Sequence, residues 1–395
     1  MKYSGVVEGF YGQPWKTSQR KNLVNQYLKL GGLNTYMYAP KYDLKHRQKW
    51  RELYSQDEIH SFTEISNKCI VNNINFIYSI APGIDITYSS EPDFQHLVSK
   101  ITQIIECGVN GIAILFDDIP EKMIQKDKPY YESVALAHTD LANKLYKKID
   151  LEHWFFCPTI YCDSQSKGSL SNNNYLKTLA QSINPKFNLL WTGPEVVSTI
   201  IEKEHISELK SVINNPIVIW DNLFANDYNL RRCFMGPYSG REDIQDQVAG
   251  ILLNPNCEFE LNYIPLKTFS DFCRGKNKDT YEDALNEWYI QFKGSISIDE
   301  LRLLIDSFYL PNCLGESAKD FIKLIKLKDY NKVLRDSWNI FQKLSNIKNR
   351  DLFHVLYRYA WELHYILKKI ISTHTSENVS EYDRGSLEYL IQSRV

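Results

Sequence analysis

Eight short apolar runs punctuate the first two-thirds of the chain, at intervals of roughly 30–40 residues, about the length of one strand–helix unit. They are YSGVVEGF from Tyr3, LNTYMYAP from Leu33, NFIYSIAPG from Asn75 and GIAILFDD from Gly111, then HWFFCPTIY from His153, FNLLWTGP from Phe187, PIVIWDNL from Pro216 and GILLNPN from Gly250. Most are continuously apolar rather than alternating, the pattern of parallel strands covered on both faces. The intervening segments carry helical periodicity. Ser18–Gly31 places Leu23, Val24, Tyr27 and Leu28 at helical spacing and stops at Gly31–Gly32, and Asp93–Gly108 lines up Leu97, Ile101, Ile104 and Ile105. Eight such units predict an α/β fold, a (β/α)8 TIM-type barrel. An open doubly wound sheet also accommodates eight strands, but no G-x-G-x-x-G follows the first run.

Beyond Phe272 the strand pattern ends. DTYEDALNEWYIQF reads as helical, and SIDE (Ser297–Glu300) is a capping-box signature opening LRLLIDSFYL, which Pro311 stops. Two amphipathic stretches follow. One carries Leu334, Trp338, Phe341 and Leu344; the other carries Leu352, Leu356, Tyr359, Leu363, Leu367 and Ile370. The expected division is a barrel over 1–285 and an all-α helical bundle over 286–395. The final polar stretch from Ser376 reads as a tail or one short helix, and its Asn378-Val379-Ser380 sequon carries little meaning without a secretion signal.

A net charge of −2 gives no global field favouring nucleic acid or an anionic membrane, and no run reaches the length of a membrane span. The N-terminus lacks the apolar region of a signal peptide, and none of the eight cysteines forms a C-x-x-C pair. Free buried thiols in a reducing compartment, cytoplasm or nucleus, are the expectation.

In such a barrel the chemistry lies at the carboxyl ends of the strands. The polar residues there are Gly9, Tyr11 and Gly12, Lys41, Asp85, Asp117 and Asp118, Tyr161, Thr192, Asp221 and Asn222, and Asn254. Strand ends become polar as they leave any core, so no single one of these is decisive. The adjacent acids Asp117 and Asp118 fit that bland account worst, since like charges repel. Asp118 could cap the next helix. The pair could hold a divalent metal, although no further His or acid spacing accompanies it. Or the two acids are catalytic. Neighbours on one strand cannot flank a sugar ring as glycosidase carboxyls set about 5–9.5 Å apart do, but they suit a substrate-assisted scheme. There one acid protonates the leaving oxygen and the other steers a nucleophile carried by the substrate.

The eight runs, in the longer forms GVVEGFYGQPW, LNTYMYAPKYDLKHRQKWRELYS, FIYSIAPGIDITYS, ILFDDI, FFCPTIYC, LLWTGPEVVS, VIWDNLFANDYNLRR and LLNPNCEFELNY, closely resemble the protein O-GlcNAcase family, family 84 of the glycoside hydrolases. LRLLIDSFYLP and LSNIKNRDLFHVLYRYAWEL resemble the stalk domain of its animal-type members. The resemblance implies a barrel catalytic domain over 1–285 and a helical stalk over 286–395. It implies retaining, exo-acting hydrolysis of β-linked N-acetylglucosamine from Ser and Thr of intracellular proteins through an oxazoline, without cofactor or metal. Asp117 would accept the acetamido N–H and stay ionised. Asp118 would start protonated, as general acid and then base. Tyr161 and Asn222 would contact the acetamido group. Gly9 (through its backbone) and Lys41 would hold a ring hydroxyl, Asp227 and Asn254 the hydroxyls at the far end of the sugar. Trp220 and Cys157 would line the pocket. For Cys157 plain core packing is the competing account, and for Asp227 turn formation in ANDY.

Two other readings stand beside this one: a hexosaminidase or hyaluronidase-type glycosidase acting on free glycans, and a catalytically dead barrel that binds GlcNAc as a lectin would. The expected partners are O-GlcNAc-modified proteins and a second copy of the chain through the stalk, with no nucleic acid and no membrane. The motive for the homodimer is the aromatic surplus of the last helices, Phe341, Tyr357, Tyr359 and Trp361.

Overall fold

All eight runs form strands: β1 (Tyr3–Glu8), β2 (Thr35–Tyr38), β3 (Asn75–Ile80), β4 (Gly111–Leu115), β5 (His153–Cys157), β6 (Asn188–Trp191), β7 (Ile217–Asp221) and β8 (Gly250–Leu253). The structure, a computed structural model, describes residues 1–276, 280–373 and 386–394. Every strand pairs parallel with the next in chain order, and β8 pairs back onto β1, so the sheet closes. The fold is therefore a TIM-type barrel, and the open-sheet alternative falls away. Closure explains the continuous apolarity. Each strand has barrel interior on one face and helices on the other, and every strand residue but the half-buried Asn75 is buried.

The barrel interior is filled by Val7, Met37, Ala39, Ile77, Ala81, Ala113, Leu115, Phe155, Cys157, Leu190, Val218, Trp220 and Leu252. One charge is buried at the end of β1. Glu8 is fully buried and accepts Arg20 Nε at 2.8 Å, Arg20 Nη2 at 2.7 Å and the Trp15 amide at 3.0 Å. The first helix differs from a regular α-helix. Thr17–Asn22 passes through one π-helical stretch, Leu23–Leu28, before Lys29–Gly31, and Gly32 closes it at φ 69°. The helix expected over Asp93–Gly108 runs Glu91–Ile105, because the Ser90 side chain caps it from the Asp93 amide.

The chain divides into two compact units. The first is Met1–Asn222 with Ser239–Asn254; the second is Leu223–Tyr238 with Pro255–Val395. The expected boundary near 285 does not coincide with this division. The helix after β8, Tyr263–Cys273, belongs to the second unit, where Ile264 joins Trp288, Phe292, Leu304 and Leu356 in one core. The segment between β7 and β8 joins the same unit. Cys233 and Met235 lie in that core, and the amides of Met235 and Gly236 both bond at 2.8 Å to the carbonyls of Phe308 and Tyr309.

The remaining helices of the second unit are Thr280–Tyr289, Ile298–Ser307, Glu316–Lys326, Tyr330–Leu344, Arg350–Thr373 and Leu387–Gln392. The capping box is formed: the Glu300 amide donates to Ser297 Oγ and the Ser297 amide to Glu300 Oε2. Glu316–Lys326, not singled out above, buries Ala318, Phe321, Ile322 and Ile325 at the i, i+3, i+4, i+7 spacing of an amphipathic helix. The Asn378–Ser380 sequon lies outside the described residues. Among the described residues no helix is long and apolar enough to cross a membrane. All eight cysteines are free thiols.

Candidate active site

The interior layer of the barrel defines where the site must be. Side chains along a strand alternate faces, so the next inward position lies two residues on. Two residues beyond Val7, Ala39, Leu115, Trp220 and Leu252 stand Gly9, Lys41, Asp117, Asn222 and Asn254. Phe116, between Leu115 and Asp117, points the other way and stacks on His138 at 3.9 Å. All of these inward residues belong to the first unit.

Asp118 breaks the alternation. In extended backbone it would face away from Asp117, but its φ is 53°, in the left-handed region that aspartate tolerates better than most residues. Its carboxyl is held from two sides: Tyr11 Oη donates to Oδ2 and Tyr161 Oη to Oδ1, each at 2.8 Å. The side chain does not cap a helix. The next helix, Val134–Lys148, starts much later and is capped by Ser133.

Asp117 is buried and pairs through Oδ2 with Lys41 Nζ. Burial alone would raise its pKa. The Lys41 charge and hydrogen bond, with Arg47 and His46 behind them, hold it below the ordinary carboxylate value, so it is ionised near neutrality. Its other oxygen, Oδ1, is buried and accepts no hydrogen bond. A buried carboxylate oxygen without a donor is costly, and it is the atom a ligand N–H would satisfy. The donors to the two carboxyls are the Lys41 ammonium and the phenols of Tyr11 and Tyr161.

The rest of the mouth is a linked polar chain. Asn222 Oδ1 accepts Trp220 Nε1 at 3.0 Å and Asn254 Nδ2 at 2.9 Å, while its own Nδ2 donates to the Val196 carbonyl at 2.8 Å. Asn254 Oδ1 accepts the Gly9 amide at 3.2 Å. A side chain at Gly9 would put its Cβ 2.0 Å from the Trp220 ring, so only glycine admits this approach. Lys41 Nζ lies 5.4 Å from the Trp220 ring centroid. Arg241 braces this rim. It donates to both carboxylate oxygens of Asp221, at 2.7 Å each, and to the Ser198 and Thr199 carbonyls.

A family model described as beta-N-acetylglucosaminidase matches residues 4–306. This chain belongs to the beta-N-acetylglucosaminidase family. By family it is a glycoside hydrolase. Protein O-GlcNAcase of Rattus norvegicus is 41% identical over 283 residues, 71% of this chain and 31% of the relative, and that of Mus musculus matches to the same extent. The chain thus spans less than a third of the length of these curated relatives. Among solved structures, a mutant of the O-GlcNAc hydrolase of Thermobaculum terrenum superposes with a TM-score of 0.83 at 27% identity, covering 95% of this chain and 86% of that one.

Of the ten residues singled out in the sequence, nine lie in the first unit and Asp227 does not. Asp227 sits half-buried in the Leu223–Tyr238 segment of the second unit. Cys157 ends β5 as part of the interior layer. Its thiol is raised by burial and next by the Asp117 charge, so it is neutral. Tyr161, expected at the acetamido group, donates to Asp118 Oδ1. Each Asp118 carboxylate oxygen accepts one phenol hydrogen, from Tyr11 and from Tyr161.

Three site neighbours escaped sequence reasoning in their roles. Tyr11 lies at the end of the first run but only its bond to Asp118 reveals its use. Arg47 donates to Tyr11 Oη at 2.7 Å and to the Asp118 carbonyl at 3.0 Å. His46, fully buried, donates from Nδ1 to the Ser79 carbonyl at 2.7 Å, leaving Nε2 without a partner. The KHR tripeptide two turns past the strand was the available signal.

Burial, and then the Lys41 charge, lowers His46 to about 4, and burial lowers His138 to about 3. Both values lie below the roughly 6.5 of an unfolded histidine. Below that pH the unfolded chain takes up protons that these two buried rings refuse, so their contribution to stability is complete above about pH 6.5 and is lost as pH falls toward 4 for His46 and 3 for His138. The urea midpoint is therefore expected to fall steadily between pH 7 and 4, and His46→Asn to flatten that slope. A midpoint constant from pH 7 to 5 contradicts the assignment.

Proposed function

We propose that this chain is a retaining exo-β-N-acetylglucosaminidase that removes O-linked GlcNAc from serine and threonine of cytoplasmic and nuclear proteins by substrate-assisted catalysis. The observation that carries the reading is the buried, ionised Asp117 with one oxygen on Lys41 and the other unpartnered. An acetamido N–H donated to Oδ1 fills that bonding deficit and turns the acetamido carbonyl oxygen toward the anomeric carbon.

In the first step the acetamido oxygen forms a bond to the anomeric carbon while the bond to the serine or threonine oxygen breaks. The leaving oxygen takes the proton of Asp118. Positive charge grows on the acetamido group as it closes to an oxazoline, and the Asp117 carboxylate stabilises it. In the second step Asp118, now ionised, removes a proton from water, which attacks the anomeric carbon and reopens the oxazoline. The anomeric configuration is retained through two inversions. Sugar binding draws the Tyr161 hydroxyl to the acetamido group with Asn222 beside it, which leaves Asp118 Oδ1 to carry the proton. Gly9, Lys41, Trp220, Cys157 and Asn254 then shape the pocket around the ring.

Asp118→Asn is expected to cut kcat/KM on a serine-linked GlcNAc peptide by about 10²–10⁴-fold, the worth of general acid catalysis, and on a nitrophenyl glycoside far less. A nitrophenol leaves without proton help. Equal losses on both substrates contradict the acid role. Faster turnover of a chitin or hyaluronan oligosaccharide than of the peptide favours the free-glycan reading.

We also propose that the second unit self-associates. Trp338, Tyr357, Trp361 and Tyr365 are 36–47% exposed on two packed helices, Tyr330–Leu344 and Arg350–Thr373. Trp338 and Trp361 lie 6.2 Å apart, with Phe341 5.4 Å from Trp361. Light scattering at micromolar concentration should report twice the chain mass; a monomer contradicts this.

A further inference from the structure

Asp118 occupies a left-handed backbone conformation that is uncommon for a non-glycine residue. One guanidinium holds it from both ends of the residue. Arg47 Nη2 donates to the Asp118 carbonyl at 3.0 Å. Arg47 Nη1 donates to Tyr11 Oη at 2.7 Å, and Tyr11 Oη in turn donates to Asp118 Oδ2 at 2.8 Å. The same planar fork therefore fixes the left-handed peptide directly and the carboxyl through one phenol.

The fork is itself immobilised. Arg47 is 8% exposed. It lies in the loop that follows β2, and that loop is pinned at two inner points. Asp43 accepts Tyr38 Oη at 2.8 Å and Tyr54 Oη at 2.6 Å. His46 donates to the Ser79 carbonyl, while its own carbonyl accepts the Ala81 amide at 3.0 Å. The loop thus presents two cations from fixed positions: Lys41 to Asp117 and Arg47 to the Asp118 peptide. A lysine at 47 would be a single point charge without the fork, unable to span both acceptors.

We propose that Arg47 is a positioning residue for proton transfer: it locks the Asp118 turn and the Tyr11 hydroxyl so that the Asp118 carboxyl meets the leaving oxygen. The inference rests on the general-acid role assigned to Asp118 above. Both terminal nitrogens of Arg47 are engaged, one by Tyr11 and one by the Asp118 carbonyl, so its loss should spare any departure that needs no proton. Proton transfer fails when the donor is misplaced by a fraction of an ångström.

The test uses the full chain with two substrates, a serine-linked GlcNAc peptide and a nitrophenyl glycoside. Arg47→Lys keeps charge and stem but removes the fork. It is expected to lower kcat/KM on the peptide about tenfold while leaving kcat/KM on the nitrophenyl glycoside within about twofold, a modest share of what a general acid supplies. Arg47→Met should widen the same split. A purely structural role would lower both rates together. Both rates unchanged in Arg47→Lys, or both lowered by one factor, overturns the proposal; if Arg47→Met does not fold, Arg47→Lys alone decides. Asp118→Asn run alongside separates the two claims. If it splits the substrates and the Arg47 variants do not, only the role of Arg47 falls. If it fails to split them, the general-acid reading falls first.

Discussion

The Lys41–Asp117 ion pair is the interaction on which the site depends. Both side chains are almost wholly removed from water, at 3% and 10% exposure. An unpaired carboxylate there would take up a proton rather than stay charged. With the ammonium on Oδ2 it remains ionised, and its second oxygen is buried with no hydrogen-bond donor. Removing one member of such a pair typically costs about 3–5 kcal/mol, because the survivor is stranded. Charge, burial and a single unused acceptor are together what a growing positive charge on an acetamido group requires.

The second acid is brought to the same mouth by backbone conformation rather than by strand geometry. Alternation places Asp117 inward and would send Asp118 outward. The left-handed turn at Asp118 cancels that, and Tyr11, Tyr161 and Arg47 hold the result. The loop after β2 serves both acids. Its first cation neutralises the buried one and its second fixes the peptide of the other. The division of labour thus follows from environment: one acid is buried against a cation, the other exposed between two phenols.

The fold was legible because burial on both faces leaves a strong mark. Eight runs, most of them continuously apolar, read as covered parallel strands, and the period of two then points to Gly9, Lys41, Asp117, Asn222 and Asn254. What stayed hidden depends on contacts distant in sequence. Nothing in the residues around Tyr11 or Arg47 announces that they meet at Asp118. The π-helical stretch at Leu23–Leu28 has the same apolar spacing as an α-helix. The boundary near 285 followed the last strand signal, but the helix Tyr263–Cys273 packs its apolar face with the later helices, and so does the β7–β8 connection. Asp227 was carried along by its motif, and its motif lies in that second unit.

The central claim is that the sugar's own acetamido oxygen makes the attack while Asp117 stabilises the charge it acquires. Turnover of nitrophenyl glycosides bearing acetyl, fluoroacetyl, difluoroacetyl and trifluoroacetyl groups measures this directly. Each fluorine withdraws electrons from the carbonyl oxygen. The account predicts a steep, monotonic fall in kcat across the series, exceeding about tenfold overall, a barrier rise of more than about 1.4 kcal/mol. A flat series, or a covalent sugar–protein adduct trapped during turnover, would contradict it.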